Sequence, residues 1–325
     1  MQEPDIEVTG ALSDQAPWPM SAAHADAVIL DETEDQVVAE PIGQWTLVWR
    51  RFIRHRIALI GGVMLILLIL MAIFGPLLSP ESPLSFNYFA GNKAPELNWR
   101  YLMGTDAQGH AIIMYILYGA RISLEVGVFA TVLTSIIGVL VGSIGGFFGG
   151  WVDAVMMRLT DVFLTLPFLP LLILLSAYTG GGNITFVILI LGLLSWSPTA
   201  RLVRSYFLSL RSQEFVQAAQ ALGVSSPRIM FKHMLPNALS VVIVSSTLNV
   251  AGFIIAEAAI DFLGVGIHTP NVSWGLALAN SESYIADGNW WWPLFPGLAL
   301  LITVLSVNFL GDGLRDALDV RAKVE

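Results

Sequence analysis

Uncharged apolar runs dominate the chain after residue 45 and predict its helices. A helix needs about 20 apolar residues to cross the roughly 30 Å hydrocarbon core of a bilayer. Residues 162–200 contain no charge, and the glycine-rich segment 179–183 divides this run into two spans. The pattern predicts an all-α membrane protein with about six transmembrane helices, at residues 57–80, 126–152, 153–178, 184–200, 238–263 and 291–310.

Four glycines recur at every fourth position of the second predicted span. Gly138, Gly142, Gly146 and Gly150 therefore lie on one face of a helix. Small residues with this spacing allow a second helix to approach closely. We interpret the stripe as a helix-packing surface rather than as part of a transport pathway.

Lysine and arginine are distributed unevenly between the two sides of the predicted bundle. The side with the loops 79–120 and 265–290 carries three, at positions 93, 100 and 121. The other side carries thirteen, at positions 50, 51, 54, 56, 158, 201, 204, 211, 228, 232, 315, 321 and 323. Because Lys and Arg are enriched in cytoplasmic loops, we predict that both termini and the loop 201–237 are cytoplasmic.

Composition agrees with a membrane protein and isolates one atypical segment. The 325 residues are 55% hydrophobic and 13% charged, with a mean hydropathy of +0.70. The net charge of −9 arises in a tail, because residues 1–40 hold ten acidic residues and no Lys or Arg. We predict a disordered acidic cytoplasmic tail at residues 1–44. It lacks the basic and apolar segments of a signal peptide, and no nucleic-acid partner is predicted.

The sequence lacks the motifs by which a transporter hydrolyses ATP itself. A phosphate-binding loop needs a Gly-Lys dipeptide before Ser or Thr, and here the lysines follow Asn92, Phe231 and Ala322. The five histidines form no His-Glu-x-x-His motif, and the chain has no cysteine. We therefore predict no catalytic residue, no metal site and no cofactor, and the chain is not predicted to be an enzyme.

The loop 212–237 has the signals of two short helices. Ser212 can cap the first, and Gly223 can end it in a left-handed conformation. Ser226 can cap the second, and Pro236 marks its predicted end. Such a helix-turn-helix is either a connector or a docking surface, and the local pattern does not decide between them.

This loop also resembles a known motif. Gln217-Ala218-Ala219, followed by Gly223 and by Leu235-Pro236, is similar to the EAA loop of binding-protein-dependent ABC permeases. Further stretches resemble the dipeptide/oligopeptide (peptide/nickel/opine) branch of that family, specifically its C-type subunit. They cover nearly all of the chain after residue 45, at residues 103–109, 118–124, 147–150, 262–266, 273–275 and 308–319.

The resemblance implies a type I ABC importer permease fold in a bacterial or archaeal inner membrane. It implies a first transmembrane helix with an external loop at 45–120, a five-helix permease domain at 121–313 and a cytoplasmic tail at 314–325. The implied partners are a B-type permease subunit, two ATP-binding subunits that hydrolyse the ATP, an extracytoplasmic solute-binding protein and the lipid bilayer. The implied cargo is a dipeptide or oligopeptide, with nickel complexes, opines and oligosaccharides as alternatives.

The resemblance also assigns coupling to the ATPase to seven residues of the loop, which are Gln217, Ala218, Ala219, Gly223, Arg228, Leu235 and Pro236. The acidic tail has no counterpart in the family's pattern, and the chain departs from that pattern at three other places. Gln217 replaces the usual acid, so an ion pair made by that acid is lost. Gly109-His110-Ala111 stands where Gly-Arg-Asp is common, and Asp261 stands where a small hydroxyl residue is usual.

Glu257 and Asp261 form the candidate substrate site. They are four positions apart, so they share one face of the fifth helix and can attract the α-ammonium group of a peptide. A structural role is the alternative for Glu257, for example by pairing with Arg121. Intramembrane acids also indicate a channel or an ion-gradient-driven transporter, for which Glu125 is a third candidate near the outer end of a span.

Overall fold

The computed structural model describes residues 44–78, 82–85 and 87–318, and these residues form helices and loops without a β-strand. The predicted tail 1–44 lies outside the described residues except for Gln44, where the first helix begins. The helices are α1 Gln44–Arg54, α2 Arg56–Leu78, α3 Ile112–Phe148, α4 Gly150–Thr165, α5 Phe168–Tyr178, α6 Ile184–Leu194, α7 Trp196–Arg211, α8 Glu214–Ala221, α9 Ser226–Phe262, α10 Trp274–Ser281 and α11 Trp291–Leu318.

Four of these helices, α2, α3, α9 and α11, are long and apolar enough to cross a membrane. Two bent pairs, α4 with α5 and α6 with α7, bring the number to six if each pair counts as one span. The described residues thus confirm the predicted all-α architecture with about six spans. The predicted third and fourth spans are each broken into two helices, which the apolar pattern did not indicate.

Proline explains both breaks. The axis turns by 80° between α4 and α5, where Pro167 restricts Leu166 to an extended conformation with φ −70° and ψ 130°. It turns by 41° between α6 and α7, where Pro198 lies four residues after Leu194. A proline there lacks the N–H that would bond to the Leu194 carbonyl group. An uncharged run shows that a segment is apolar but not in which direction its axis points.

The central helix is α3, which contacts α2, α6, α7 and α9. It begins at Ile112, well before the predicted start at residue 126, because Arg121 and Glu125 interrupt the apolar run without interrupting the helix. At 1.5 Å per residue α3 is about 55 Å long, so its charged N-terminal part projects beyond a hydrocarbon core of roughly 30 Å. The predicted domain boundary at residue 120 falls within this helix.

Three of the four glycines in the predicted stripe place α3 against α7. A Cβ atom on Gly138, Gly142 or Gly146 would lie 2.4–2.7 Å from an atom of α7, so α7 packs directly on the α3 backbone as predicted. Gly150 does not belong to this surface. It starts α4 with φ +54° and open space around its Cβ position, because the turn at Gly149, with φ +67°, redirects the chain.

The first and last spans also pack through small residues. A Cβ atom on Gly61 would lie 2.7 Å from the backbone of α11, and one on Gly313 would lie 2.0 Å from the Ala58 side chain. The last helix continues to Leu318, so the predicted tail 314–325 begins inside a helix. Its remainder lies outside the described residues.

Two ion pairs hold α4 against α7. Arg204 donates two hydrogen bonds to the two oxygens of Asp153, a bidentate geometry that fixes orientation as well as distance. Arg201 Nη2 lies 2.5 Å from Asp161 Oδ1, but the two side chains are 54% and 45% exposed. The exposed pair contributes little to stability, so Arg204 and Asp153 define the position of α4.

Candidate coupling loop and buried carboxyl pair

The loop between α7 and α9 is anchored to the bundle by one face of α8. Val216 of α8 is fully buried. It belongs to a hydrophobic cluster with Phe147 of α3, Phe207 of α7 and the first turns of α9, and Ala219 packs at the edge of this cluster. The buried face of α8 is therefore packed against side chains of three helices.

The opposite face of α8 is exposed. Gln217 and Ala218 lie on it, and Leu222 beyond its end is 83% exposed. Gly223 has φ +74° with open space around its Cβ position, which confirms the predicted left-handed joint. Arg228 is exposed in the first turn of α9 and forms no ion pair with a described residue. Small and apolar residues at the tip of a loop form a surface that another protein can cover.

The caps of the two helices differ from the prediction by one residue each. Ser212 ends α7, and the N-cap of α8 is Gln213. The N-cap of α9 is Ser225, with Ser226 already in the first turn. Gln217 Nε2 donates to the Ser212 carbonyl oxygen at 3.3 Å, so the amide that replaces the family's acid closes the turn between α7 and α8.

Pro236 does not end the second helix, contrary to the prediction. Helix α9 runs without interruption over Ser226–Phe262, and residues 229–234 form a π-helical turn just before the proline. In that turn the Leu235 N–H donates to the Met230 carbonyl group, five residues back. The wider turn accommodates a proline ring that would clash in a regular α-helix. The second helix of the loop and the fifth span are thus one continuous helix.

The other end of α9 carries the two predicted acids, and both are buried. Glu257 is 0% exposed and Asp261 is 1% exposed. Ser123 Oγ of α3 donates to Glu257 Oε2 at 3.1 Å, whereas Glu257 Oε1 has no hydrogen-bond partner among the described residues. Arg121 is exposed and forms no ion pair with Glu257, so the pairing considered from the sequence is wrong. A serine of α3 takes its place.

Asp261 holds the loop that follows α9. Its Oδ1 accepts the Ile267 backbone N–H at 2.6 Å, and its Oδ2 accepts the hydroxyl group of Ser273. The Ser273 hydroxyl oxygen accepts the N–H of Leu276 at 3.1 Å and so caps α10. A Cβ atom on Gly266 would lie 1.9 Å from Asp261 Oδ1, so only glycine lets the loop close on the carboxyl group.

These contacts bear on the predicted substrate role of the two acids. Both oxygens of Asp261 are occupied by donors of the chain itself, which gives this residue a structural part. A place for Glu257 and Asp261 in the substrate pathway stays a prediction. Sequence reasoning missed Ser123 and Ser273, although both lie in the family-like stretches 118–124 and 273–275, because neither charge nor periodicity pairs a serine with a distant acid.

Comparison with known proteins identifies the class. Residues 135–324 match the family model described as binding-protein-dependent transport system inner membrane component. Residues 43–95 match the model of the N-terminal TM domain of oligopeptide transport permease C. The first match covers more than half of the chain. The protein therefore belongs to the family of binding-protein-dependent transport system inner membrane components, which are multi-pass permease subunits of ABC importers.

Individual relatives match over most of their length. A Brucella suis (biovar 1, strain 1330) protein whose name describes a peptide permease is 40% identical over 276 residues, 84% of this chain and 90% of that one. The dipeptide transport system permease protein DppC of Bacillus subtilis (strain 168) is 38% identical over 275 residues, 85% of each chain. The oligopeptide transport system permease protein OppC of Escherichia coli (strain K12) is 36% identical over 300 residues, 92% of this chain and 99% of that one. The family resemblance inferred from the motifs is confirmed.

Proposed function

We propose that this permease carries dipeptides or oligopeptides into the cell, forms half of the translocation pathway, and is driven by ATP hydrolysis in subunits that bind the α8 loop. The proposed partners are a B-type permease subunit, two ATP-binding subunits and an extracytoplasmic solute-binding protein. The relatives support the substrate class, since the Brucella suis, Bacillus subtilis and Escherichia coli proteins are all named for peptide transport.

The continuity of the α8 loop with α9 is the observation that carries the coupling role. The outer face of the loop offers Ala218, Leu222 and Gly223 to a partner, while Val216 locks the inner face to the bundle. Helix α9 begins just after this joint and runs without a break to the buried carboxyl pair. A displacement of α8 therefore moves a helix whose far end holds the loop before α10.

The proposed orientation puts the α8 loop and both termini in the cytoplasm. The basic residues near this end support it, namely Arg201, Arg204, Arg211, Arg228 and Lys232. The opposite end of the bundle, where α3 begins, then faces the solute-binding protein.

Ala218→Arg tests the coupling role, because it adds a long charged side chain to the exposed face of α8 and leaves the buried face intact. In proteoliposomes that contain the full complex, we expect loss of peptide uptake and of substrate-stimulated ATP hydrolysis, with normal assembly of the two permeases. Ala286→Arg is the matched control, since Ala286 is an exposed alanine between α10 and α11. Normal uptake and ATP hydrolysis in Ala218→Arg would show that the loop is only a connector.

Gly223→Val tests the joint itself. A left-handed conformation costs an L-residue about 1–2 kcal/mol, and no neighbour clashes with the new side chain, so the strain is released by a changed angle between α8 and α9. We expect weaker substrate stimulation of ATP hydrolysis in a stable complex. Gly288→Val is the control, because Gly288 has φ +83° and equally open surroundings outside the loop. Equal effects of the two variants would argue against a coupling role of the joint.

The substrate class is tested with the cognate solute-binding protein and the reconstituted complex. We expect binding and uptake of dipeptides or oligopeptides. Uptake of a nickel complex, an opine or an oligosaccharide without any uptake of peptide would refute the proposed cargo and leave the permease role intact.

A further inference from the structure

A cavity of about 290 Å³ opens at the end of the bundle opposite the α8 loop. Its walls include Tyr118, Arg121 and Glu125 of α3, Ile184 at the start of α6, and the loop segment 270–272. Ligand pockets in proteins begin at roughly 300 Å³. The cavity therefore has the size of a small-molecule site rather than of a protein interface.

The cavity contains one positive and one negative side chain that do not neutralise each other. Arg121 and Glu125 are one turn apart on α3, yet they form no ion pair with each other or with another described residue. Arg121 is exposed and Glu125 is half-buried, so water can solvate both charges in the absence of a ligand. Both side chains are thus available to a ligand that carries a negative and a positive group.

The two charged residues lie one helical turn apart, a separation comparable with the length of a short peptide. Side chains four residues apart on a helix have Cβ atoms about 5–6 Å apart, and an extended dipeptide is about 7 Å long. The guanidinium group of Arg121 can bind a carboxylate through two parallel hydrogen bonds. The carboxylate of Glu125 can accept hydrogen bonds from an ammonium group. A free dipeptide carries both partner groups, an ammonium group at one end and a carboxylate at the other.

The wall opposite α3 is fixed by hydrogen bonds within the chain. Asn271 Nδ2 donates to the Gly182 carbonyl oxygen at 3.2 Å, and the Gly182 N–H donates to the Gly266 carbonyl oxygen at 2.7 Å. Asp261 holds the same loop through the Ile267 N–H. A preformed wall spares a ligand the cost of ordering it. Asp261 therefore contributes to this cavity as a positioning residue, although its own carboxyl group is buried.

We propose that this cavity binds the two charged ends of a short peptide before it enters the pathway, with the α-ammonium group at Glu125 and the α-carboxylate at Arg121. The inference rests on the proposed peptide function. In this proposal the ammonium group contacts Glu125, which lines an open cavity, and not Glu257 or Asp261, which are buried. Glu125 lies one turn closer to the middle of α3 than Arg121 does, so the peptide binds with its amino end deeper.

The same zwitterionic chemistry occurs in a phosphatidylethanolamine headgroup, so the experiment separates the two sources. The full complex is reconstituted in vesicles of phosphatidylcholine and phosphatidylglycerol, without phosphatidylethanolamine. One dipeptide is offered as the free, the N-acetylated and the C-amidated form. The solute-binding protein is the same in every assay, so the ratio of variant to wild-type uptake isolates the contribution of the permease.

The two variants are expected to give a crossed pattern. Arg121→Gln should raise KM about three- to tenfold for the free and N-acetylated forms and leave the C-amide unchanged, because only the first two carry a carboxylate. Glu125→Gln should raise KM by a similar factor for the free form and the C-amide and leave the N-acetylated form unchanged. Arg121→Lys should retain most of the affinity. Glu282→Gln, an exposed acid outside the cavity, should behave as wild type.

Each other outcome overturns the proposal in a recognisable way. Equal loss for all three peptide forms indicates a structural role or a docking surface, and a lowered affinity of the solute-binding protein for the complex would identify the latter. Effects that appear only after phosphatidylethanolamine is added would assign the cavity to lipid. If wild type imports peptides and both variants match it, only this inference falls. If wild type imports none of the peptides, the proposed cargo falls as well.

Discussion

Asp261→Asn and Glu257→Gln make the same chemical change one helical turn apart, yet we expect opposite effects on stability. Both oxygens of Asp261 accept hydrogen bonds, one from the Ile267 N–H and one from the Ser273 hydroxyl group. Asparagine keeps a single acceptor, which the Ile267 N–H can still use. The Ser273 hydroxyl group can then only accept from the amide nitrogen, and its own O–H loses its acceptor. A buried donor without a partner costs about 1–3 kcal/mol, and burial favours the upper part of that range.

Glu257 presents the reverse situation. Its Oε2 accepts from Ser123, which glutamine preserves, while Oε1 has no hydrogen-bond partner among the described residues. An amide nitrogen in that position can donate to the neighbouring Asp261 carboxyl group, which interacts with Glu257, so the new donor has an acceptor. We therefore expect Glu257→Gln to leave the stability unchanged or to raise it by up to about 1 kcal/mol.

The measurement is thermal unfolding of the purified permease pair in detergent, followed by tryptophan fluorescence and by size-exclusion chromatography after heating. Ser273→Ala provides the internal check. Asp261→Asn combined with Ser273→Ala should cost less than the sum of the two single changes, because both remove the same hydrogen bond. The reasoning is refuted if Asp261→Asn is as stable as wild type, or if Glu257→Gln is the more damaging of the two.

Topology and helix packing give two further predictions. Since the chain has no native cysteine, single cysteines at Glu96 and Asp287 should react with an impermeant thiol reagent outside sealed cells and one at Ser225 should not; labelling of Ser225 would overturn the proposed orientation. Gly142→Ala should destabilise the protein by about 1–3 kcal/mol, because its Cβ atom would lie 2.4 Å from the α7 backbone. Gly252→Ala has open space and should stabilise α9 by up to about 1 kcal/mol in the same thermal assay; equal effects would contradict the packing argument.

The number of spans could be predicted from the sequence, but their ends and bends could not. An uncharged run marks a segment that the hydrocarbon core of a bilayer can surround. Such runs therefore located the apolar parts of the spans. They placed the start of α3 too late, because a helix that leaves the bilayer tolerates charges such as Arg121 and Glu125. The helix outside the membrane is stabilised by packing against neighbouring segments, including Trp291 on Ile112, and this packing has no local signature.

Local signals predicted the first helix and the glycine joint of the α8 loop, but not the continuation of its second helix into the fifth span or the partners of the acids. Gly223 adopts the left-handed conformation expected for a helix-ending glycine. The shared face of Glu257 and Asp261 also followed from their spacing. Their partners did not, because Ser123 lies 134 positions from Glu257 and is brought there only by the packing of α3 on α9. A pattern along one helix specifies a face, and the tertiary fold decides what that face meets.

The two prolines also show that a local signal does not determine the structure around it. Pro167 ends a helix, whereas Pro236 lies inside one because the π-helical turn at 229–234 makes room for its ring. This turn is an irregular part of the α9 hydrogen-bond ladder, and kinks in helices often occur at such turns. The Leu235-Pro236 pair of the EAA-like motif thus follows an irregular turn within one helix. If the loop couples to an ATPase as proposed, bending at this turn would reduce the displacement that reaches the loop held by Asp261.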